Sequence, residues 1–129
     1  MTTGGVRGPS VSIFASDAVH GVLSTALDGI SLRQSVIADN IANVDTPNFR
    51  ARAVDFESSL KSAIGRGGVD SDGVEINVMA TQTPVGVNGN NVDLRKESMA
   101  AMQSVFQYQI VTRSVSDRLE MVRTAAAAF

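Results

Sequence analysis

The sequence predicts a mainly α-helical chain, in which two long terminal helices pair as an antiparallel, coiled-coil-like hairpin around a short, irregular, β-containing insert. Three observations support this fold class. Apolar residues recur every three or four positions toward both ends of the chain, which is the spacing of a helical seam. Glycine, asparagine and aspartate concentrate in the middle. Aromatic residues make up only 5% of the chain, so its core must be largely aliphatic.

The composition excludes several classes of function. The chain has 129 residues, one histidine, no cysteine and a net charge of −2. Disulfide and thiolate chemistry are therefore ruled out, and electrostatics gives no reason to expect nucleic acid or an anionic membrane as a partner. No stretch approaches the ~18 apolar residues of a membrane span. The start lacks the features of a secretory signal, so we expect the chain to stay in the cytoplasm or leave without signal cleavage.

The first helix is predicted over residues 12–44, after a start at residues 1–11 whose glycine, proline, threonine and serine content predicts disorder. Its apolar residues alternate between spacings of four and three, with Gln34 as a polar interruption. The predicted seam comprises Leu23, Leu27, Ile30 and Ile37.

The first helix ends inside the segment DNIANVDTPNFRARAVDFE, residues 39–57. Pro47 cannot continue a helix and moves Thr46 toward extended backbone. We expect Asn43 to adopt a left-handed cap conformation and Asn48 to make the next sharp turn, because asparagine tolerates positive φ better than most residues. Apolar and basic residues then alternate. The segment is therefore predicted to stop the helix and redirect the chain into an extended leg.

Residues 45–91 are predicted to form this turn, the extended leg and a flexible insert. Within the insert, residues 55–64 have the spacing of a short amphipathic helix, and residues 74–79 alternate weakly, as a strand would. Asn88–Gly89 is a turn signal.

The second long helix is predicted over residues 92–129, with Asp93 as its N-cap. Its apolar stripe is too wide to be covered by one partner helix, so we expect an oligomer, a filament or a layered assembly. The predicted seam and assembly residues are Leu94, Met99, Met102, Val105, Phe106, Tyr108, Gln109, Val115, Leu119 and Val122.

Two residue groups imitate functional sites. His20 could share a helical face with Asp17, but neighbouring side chains on one helix, without oxyanion donors, make a poor catalytic site. Asp70, Asp72 and Glu75 imitate a calcium loop, yet their spacing does not match that of an EF-hand. We therefore predict no enzyme activity, no metal site and no cofactor.

The segment that ends the first helix resembles the N-terminal signature of the flagellar rod, hook and axial protein family, which is roughly N-I-A-N-x-D-T-P-G-Y/F-K/R. The matching residues are Asn40, Ile41, Ala42, Asn43, Asp45, Thr46, Pro47, Phe49 and Arg50. Asn48 stands where the family usually has glycine. The second helix is similar to that of proximal rod members in its V-D-L-x-x-E start and central Y-Q, through Asp93, Leu94, Glu97, Met99, Tyr108 and Gln109. The short length also favours a proximal rod member.

The resemblance implies a non-enzymatic subunit of the proximal rod of the bacterial flagellar basal body, which assembles helically and transmits motor torque. It implies location on the periplasmic side of the cell envelope, after export without a cleavable signal. The implied partners are other copies of the chain, other rod proteins, the rod-base adaptor, the membrane ring and the type III export apparatus. The alternative is a soluble cytoplasmic helical binding module, such as a secretion chaperone or a regulatory hairpin.

Overall fold

The computed structural model describes residues 7–70 and 72–127, with side chains from residue 17 onward. Its elements in chain order are α1 (Arg7–Ala42), β1 (Arg52–Asp55), α2 (Glu57–Gly65), β2 (Asn77–Ala80) and α3 (Leu94–Ala127). The predicted fold class is confirmed: two long helices pack together, and a two-stranded antiparallel sheet lies in the insert between them.

The helix α1 begins at Arg7, ahead of the predicted start at residue 12. Pro9 falls in its first turn, where backbone N–H groups have no helical partner, so the missing N–H of proline costs nothing there. Residues 1–6 of the predicted disordered start, and residues 128–129 of the predicted second helix, lie outside the described residues.

The two long helices run antiparallel and touch along much of their length. Leu23 near the start of α1 and Leu119 near the end of α3 line the same groove. Farther along α1, Arg33 Nη1 donates a hydrogen bond of 3.0 Å to Gln107 Oε1. At ~1.5 Å per residue, each helix is roughly 50 Å long, so the molecule is elongated.

The insert supplies a hairpin and a short helix that lie against α1. Strands β1 and β2 pair antiparallel, from Arg52 opposite Ala80 to Asp55 opposite Asn77. The strand β1 lies in the predicted extended leg, α2 lies over the predicted short helix, and β2 overlaps the predicted weak strand. At the start of α2, the Ser58 N–H donates to Asp55 Oδ1 at 3.1 Å. Hydrogen bonds from the side chain and the backbone of Ser58 lower the pKa of Asp55.

The hydrophobic core lies where α1, β1 and α2 meet. Its buried members are Ala26, Ile30, Val36, Val54, Phe56 and Leu60. The Phe56 ring lies directly over Gly29 of α1, so close that a β-carbon at Gly29 would overlap ring atoms. This glycine weakens the helix locally, yet it makes room for the largest side chain in the core.

Arg33 ties four elements together at the edge of this core. Its Nη2 donates to the Val54 carbonyl at 2.7 Å, and its Nη1 donates to Glu57 Oε2 at 2.8 Å. The guanidinium carbon lies 4.7 Å from the centroid of the Phe56 ring, within the range of a cation–π interaction. With the bond to Gln107, one side chain of α1 contacts β1, α2 and α3 together.

The first prediction concerns the glycine beneath the aromatic ring. Gly29→Ala should lower the free energy of unfolding by about 1–3 kcal/mol, because the new methyl group forces Phe56 out of its packed position. Gly21→Ala is the matched control: its β-carbon would meet Val69 Cβ at an ordinary 3.5 Å. The control should be neutral or up to ~1 kcal/mol more stable, from helix propensity. Urea unfolding measures both. Equal stability of the two variants would contradict this account.

The second prediction concerns pH. Hydrogen bonds from Arg33 hold the pKa of Glu57 below its usual value. A lowered carboxyl pKa in the folded state stabilises the fold above the unfolded pKa, and this contribution disappears as the pH falls through about 4 and below. Glu57→Gln should therefore cost up to ~1 kcal/mol at pH 7, since the side chain is half exposed, and progressively less as the pH falls toward 2.5.

Urea unfolding across this pH range measures the difference between the wild-type chain and Glu57→Gln. Glu75→Gln, at another exposed carboxylate, serves as the control and should differ little from the wild type at every pH. A Glu57→Gln deficit that stays constant down to pH 2.5 would contradict the assigned role of the ion pair.

Candidate functional site

The helix α1 ends in a turn closed by its own asparagine and threonine side chains. The Asn43 N–H donates to the Asp39 carbonyl at 3.2 Å, and Asn43 Nδ2 donates to the same carbonyl at 2.8 Å. The Thr46 N–H then donates to the Asn43 carbonyl at 3.0 Å, while Thr46 Oγ1 donates to Asn43 Oδ1 at 3.0 Å. The last carbonyls of the helix are thus satisfied locally.

The backbone reverses at Asn48 and not at Asn43. Among the described residues other than glycine, Asn48 alone has positive φ, at 64°. The predicted left-handed conformation of Asn43 is therefore wrong, while the predicted sharp turn at Asn48 is confirmed. The physical reason is that the Asn43 side chain reaches back to the Asp39 carbonyl, so helical backbone is kept up to that point.

Asn90, in the loop before α3, holds this turn from outside. Its buried Nδ2 donates to the carbonyls of Asn43 and Thr46, both at 2.8 Å. Its Oδ1 accepts the Val92 N–H at 2.7 Å. The side chain therefore joins the end of α1 to the start of the chain leading into α3.

Asn40 and Asn91 hold the extended leg in a similar way. Asn40, 0% exposed, donates from Nδ2 to the Arg52 carbonyl at 2.7 Å and accepts the Arg52 N–H at 3.1 Å. Asn91 Oδ1 accepts the Ala51 N–H at 2.6 Å, and its backbone N–H donates to the Phe49 carbonyl at 3.3 Å. Asn40 acts as a substitute strand partner on the edge of the leg that faces away from β2. Asn91 does so on the other edge, where the Ala51 carbonyl accepts the Thr81 N–H at 3.1 Å.

Gly89 allows the loop before α3 to lie against the turn. Its φ is 78°, and a β-carbon there would overlap the Asn48 side chain. The Asn48 N–H donates to the Asn88 carbonyl at 2.9 Å. The sequence predicted only a turn at this glycine, and the roles of Asn90 and Asn91 were missed. The signal that could have identified them was the run NGNN, which ends two residues before the predicted helix cap Asp93.

The remaining motif residues lie on or near the surface of the turn. Ile41 and Phe49 are half-buried, and Arg52 Nη2 forms an ion pair of 2.8 Å with Asp39 Oδ2. Asp93 caps α3 as predicted, since its Oδ1 accepts the Lys96 N–H at 3.2 Å. The exposed members of the motif are Ala42, Asp45, Thr46, Pro47, Asn48 and Arg50.

Only the end of the predicted α3 stripe faces α1: Val115, Leu119 and Val122 line a groove with Leu23, whereas other residues of α3 contact α1 farther along. Glu97 and Ser104 are buried, and Gln107 and Val111 are half-buried against α1 and the core edge. Of the predicted α3 set, Val115 is half-buried, and the others are exposed: Leu94, Met99, Met102, Val105, Phe106, Tyr108, Gln109, Leu119 and Val122. On α1, Ile30 and Ile37 are buried, and Leu23 and Leu27 are half-buried.

The physical reason is that α3 carries two stripes at helical spacing, and only one can face α1. Small and polar residues allow α3 to approach closely beside Arg33, whereas Met99, Met102 and Phe106 could not fit there. Hydrophobic periodicity identifies the apolar stripe but does not say whether it is covered by the same chain or by another.

The chain exposes more surface than one compact copy would. Its accessible surface is 8865 Å², whereas a monomer of 13.5 kDa usually exposes roughly 6500 Å². Phe106 is 61% exposed and Met102 is 63% exposed, which is unusual for large apolar side chains in such number. The surface of α3 is therefore the main candidate for assembly.

The two residue groups that resemble a catalytic site and a calcium site, around His20 and Asp70, lie in a surface groove and a surface turn. His20 is exposed beside the groove between α1 and α3. Asp70 Oδ1 accepts the Asp72 N–H at 3.0 Å and so stabilises its own turn. Within the described part of the chain, no group of three or more acidic, histidine or cysteine side chains could hold a metal ion. The described helices also contain no segment long and apolar enough to cross a membrane.

Comparison with known proteins identifies a matching family. A family model described as flagella basal body rod protein matches residues 22–50, which include the end of α1 and the turn. The FlgB rod protein of Borreliella burgdorferi is 34% identical over 110 residues, covering 67% of this chain and 78% of that protein.

Two further relatives match over most of their length. FlgB of Bacillus subtilis is 32% identical over 113 residues, covering 79% of this chain and 88% of the relative. FlgB of Escherichia coli is 31% identical over 123 residues, covering 81% and 89%. The chain therefore belongs to the FlgB family of flagellar basal body rod proteins.

Proposed function

We propose that this chain forms part of the proximal rod of the bacterial flagellum and transmits torque through its paired long helices. As a member of the FlgB family it is a structural protein of the basal body rod and not an enzyme. The observation that carries the proposal is the exposed apolar face of α3, which one copy leaves uncovered. The alternative of a cytoplasmic binding module is not favoured, because the relatives are rod proteins.

In this proposal, the predicted residues of α1 and those of α3 have different roles. Ile30 and Ile37, with Leu23 and Leu27, hold α1 against the rest of its own chain. The exposed apolar residues of α3 contact neighbouring subunits. Burial of a large apolar side chain contributes about 1.5–3 kcal/mol, so several such residues supply a substantial driving force for assembly.

The turn has a mechanical role in the proposal. The residues Asn40 to Arg50 set the angle between α1 and the extended leg, and the amides of Asn40, Asn90 and Asn91 keep that angle constant. A shaft under torsion needs such fixed angles, because a flexible joint would absorb the rotation that the motor supplies. Buried, fully paired polar groups supply this stiffness, since moving them leaves them without partners.

The proposed position of the chain within the flagellum, and its proposed partners, rest on the resemblance to proximal rod members. We propose that the chain lies on the periplasmic side of the cell envelope and contacts other copies, other rod proteins, the rod-base adaptor and the membrane ring. We also propose that the type III export apparatus delivers it without signal cleavage. The shortness of the insert between α1 and α3 supports this position, because its described residues form only a hairpin, a short helix and loops.

The third prediction tests the turn. Asn90→Ala removes the two hydrogen bonds that hold the carbonyls of Asn43 and Thr46, and should destabilise the joint by about 1–3 kcal/mol. Amide hydrogen exchange should become at least tenfold faster at Ala51 and Arg52, and swimming should be reduced at equal protein level. Asn77→Ala, at an exposed asparagine of β2, is the control and should change neither quantity.

Pro47→Ala extends the same test to the residue that ends the helix. The new residue permits helical backbone at Thr46, so the leg should be misdirected and rod assembly should fall. Normal assembly of both Asn90→Ala and Pro47→Ala would show that the angle of the turn has no mechanical role.

The fourth prediction tests the location. Intact basal bodies isolated from cells that produce a tagged copy should contain this chain, and electron microscopy of tag-bound particles should place it at the membrane-proximal end of the rod. Cells without the chain should lack the complete rod and should not swim. Recovery of the chain only in the cytoplasm, with normal basal bodies, would refute the proposal.

A further inference from the structure

The outward face of α3 carries bulky apolar side chains in one continuous stripe. Its members lie at helical spacing and are each more than half exposed: Met99, Met102, Phe106 and Ile110. One turn farther along, the stripe continues with the charged Arg113. These residues lie on the side of α3 opposite Ser104, which is fully buried against the rest of the molecule. We call this set the α3 ridge.

The outward face of α1 has the opposite character. Its exposed residues recur at spacings of four and three, and most are serine or alanine: Ser24, Asp28, Ser31, Ser35, Ala38 and Ala42. We call this set the α1 track. Asp28 is its only charged member. Small side chains allow a neighbouring helix to come close, so the α1 track suits a partner with large side chains.

We propose that the α3 ridge of one copy packs antiparallel onto the α1 track of a second copy. This inference rests on the proposed rod function and names the contact between subunits. Copies that share one orientation along a shaft meet in this sense, because α3 is antiparallel to α1 within each copy. The two surfaces differ, so the contact is heterologous and continues from copy to copy instead of closing as a dimer.

The residue order along the two helices fits a single register. With Phe106 opposite Ser35, Ile110 falls opposite Ser31, and Met102 falls opposite Ala38. Each large side chain then meets a small one.

The charges fit the same register. Arg113 on the α3 ridge falls opposite Asp28, the acidic residue of the α1 track. One alignment therefore satisfies both the shapes and the charges, whereas a shift by one helical turn separates this ion pair.

A groove lies where this register places the aromatic ring. It has a volume of about 400 Å³ and lies between α1 and the hairpin, bordered by Leu32, Ser35, Val36, Val78 and the ion pair of Asp39 with Arg52. Phe106 of a second copy, placed opposite Ser35, would enter it. By contrast, two α3 ridges facing each other would bring large side chains together and leave Arg113 opposite Met99, without an acidic partner.

Disulfide cross-linking tests the register directly, because the chain contains no cysteine. A full-length chain carrying Ser31→Cys and Ile110→Cys should form a ladder of oligomers on mild oxidation. The two positions lie on opposite outer faces of one copy, so they can bond only between copies. The out-of-register pair Ser24→Cys with Met99→Cys should form no ladder, since these positions are about 27 Å apart in the proposed contact.

Charge reversal provides a second test, by sedimentation velocity of the full chain up to millimolar concentration. Asp28→Arg and Arg113→Asp should each weaken self-association at least tenfold, and the double variant should recover most of it. Asp72→Arg, at an exposed residue away from both surfaces, is the control. Circular dichroism checks that helix content is unchanged.

Mixing complementary variants identifies the type of contact. Phe106→Ser removes the ridge and Ser35→Lys blocks the track, so each variant alone should be monomeric. Their mixture should form a one-to-one dimer, because one ridge and one track stay intact.

Several outcomes would overturn the inference. These are a wild-type chain that stays monomeric at millimolar concentration, equal ladders from both cysteine pairs, or self-association of Ser35→Lys alone. If Ser35→Lys also enters basal bodies and supports swimming, the contact is wrong while the rod function stands. Absence of the wild-type chain from basal bodies would refute the rod function itself.

Discussion

The pairing of asparagine side chains with backbone groups at the end of α1 is the interaction on which the rest of the structure depends. Asn40 supplies both a donor and an acceptor to Arg52, and Asn91 accepts the N–H of Ala51. An extended leg beside a helix would otherwise leave these buried groups unpaired, at a cost of about 1–3 kcal/mol each. With Asn90 bound to the carbonyls of the turn, three separate parts of the chain are held at one point.

This joint determines where the other elements lie. The leg continues into β1, which places Phe56 over Gly29 and brings Glu57 to Arg33. The loop that carries Asn90 and Asn91 leads directly into α3, so the same amides set the position at which α3 starts along α1. A structural subunit that transmits torque benefits from this arrangement, because the angle between its parts depends on short, buried hydrogen bonds and not on exposed side chains.

The division of α3 into two faces connects folding to assembly. Beside Arg33 its inner face is small and polar: Gln107 bonds Arg33, and Ser104 contributes a buried hydroxyl that has no hydrogen-bond partner among the described residues. Such a face adds little apolar burial within one copy. The large apolar side chains remain outside, where a second chain can cover them. Much of the stabilisation that α3 can provide is therefore realised only in the assembly, and the isolated subunit keeps a modest core beneath α1.

The sequence by itself determined the two long helices, the position of the turn, the extended leg and the short helix, because these follow from local periodicity, proline and helix capping. The family motif also lay in the sequence, and with it the class of function. Only the tertiary structure decided which stripe of α3 faces α1, why Gly29 is required, and that Asn90 and Asn91 close the turn. These features depend on contacts between residues far apart in the chain, and a repeating apolar pattern has the same spacing whether its partner is the same chain or a neighbour.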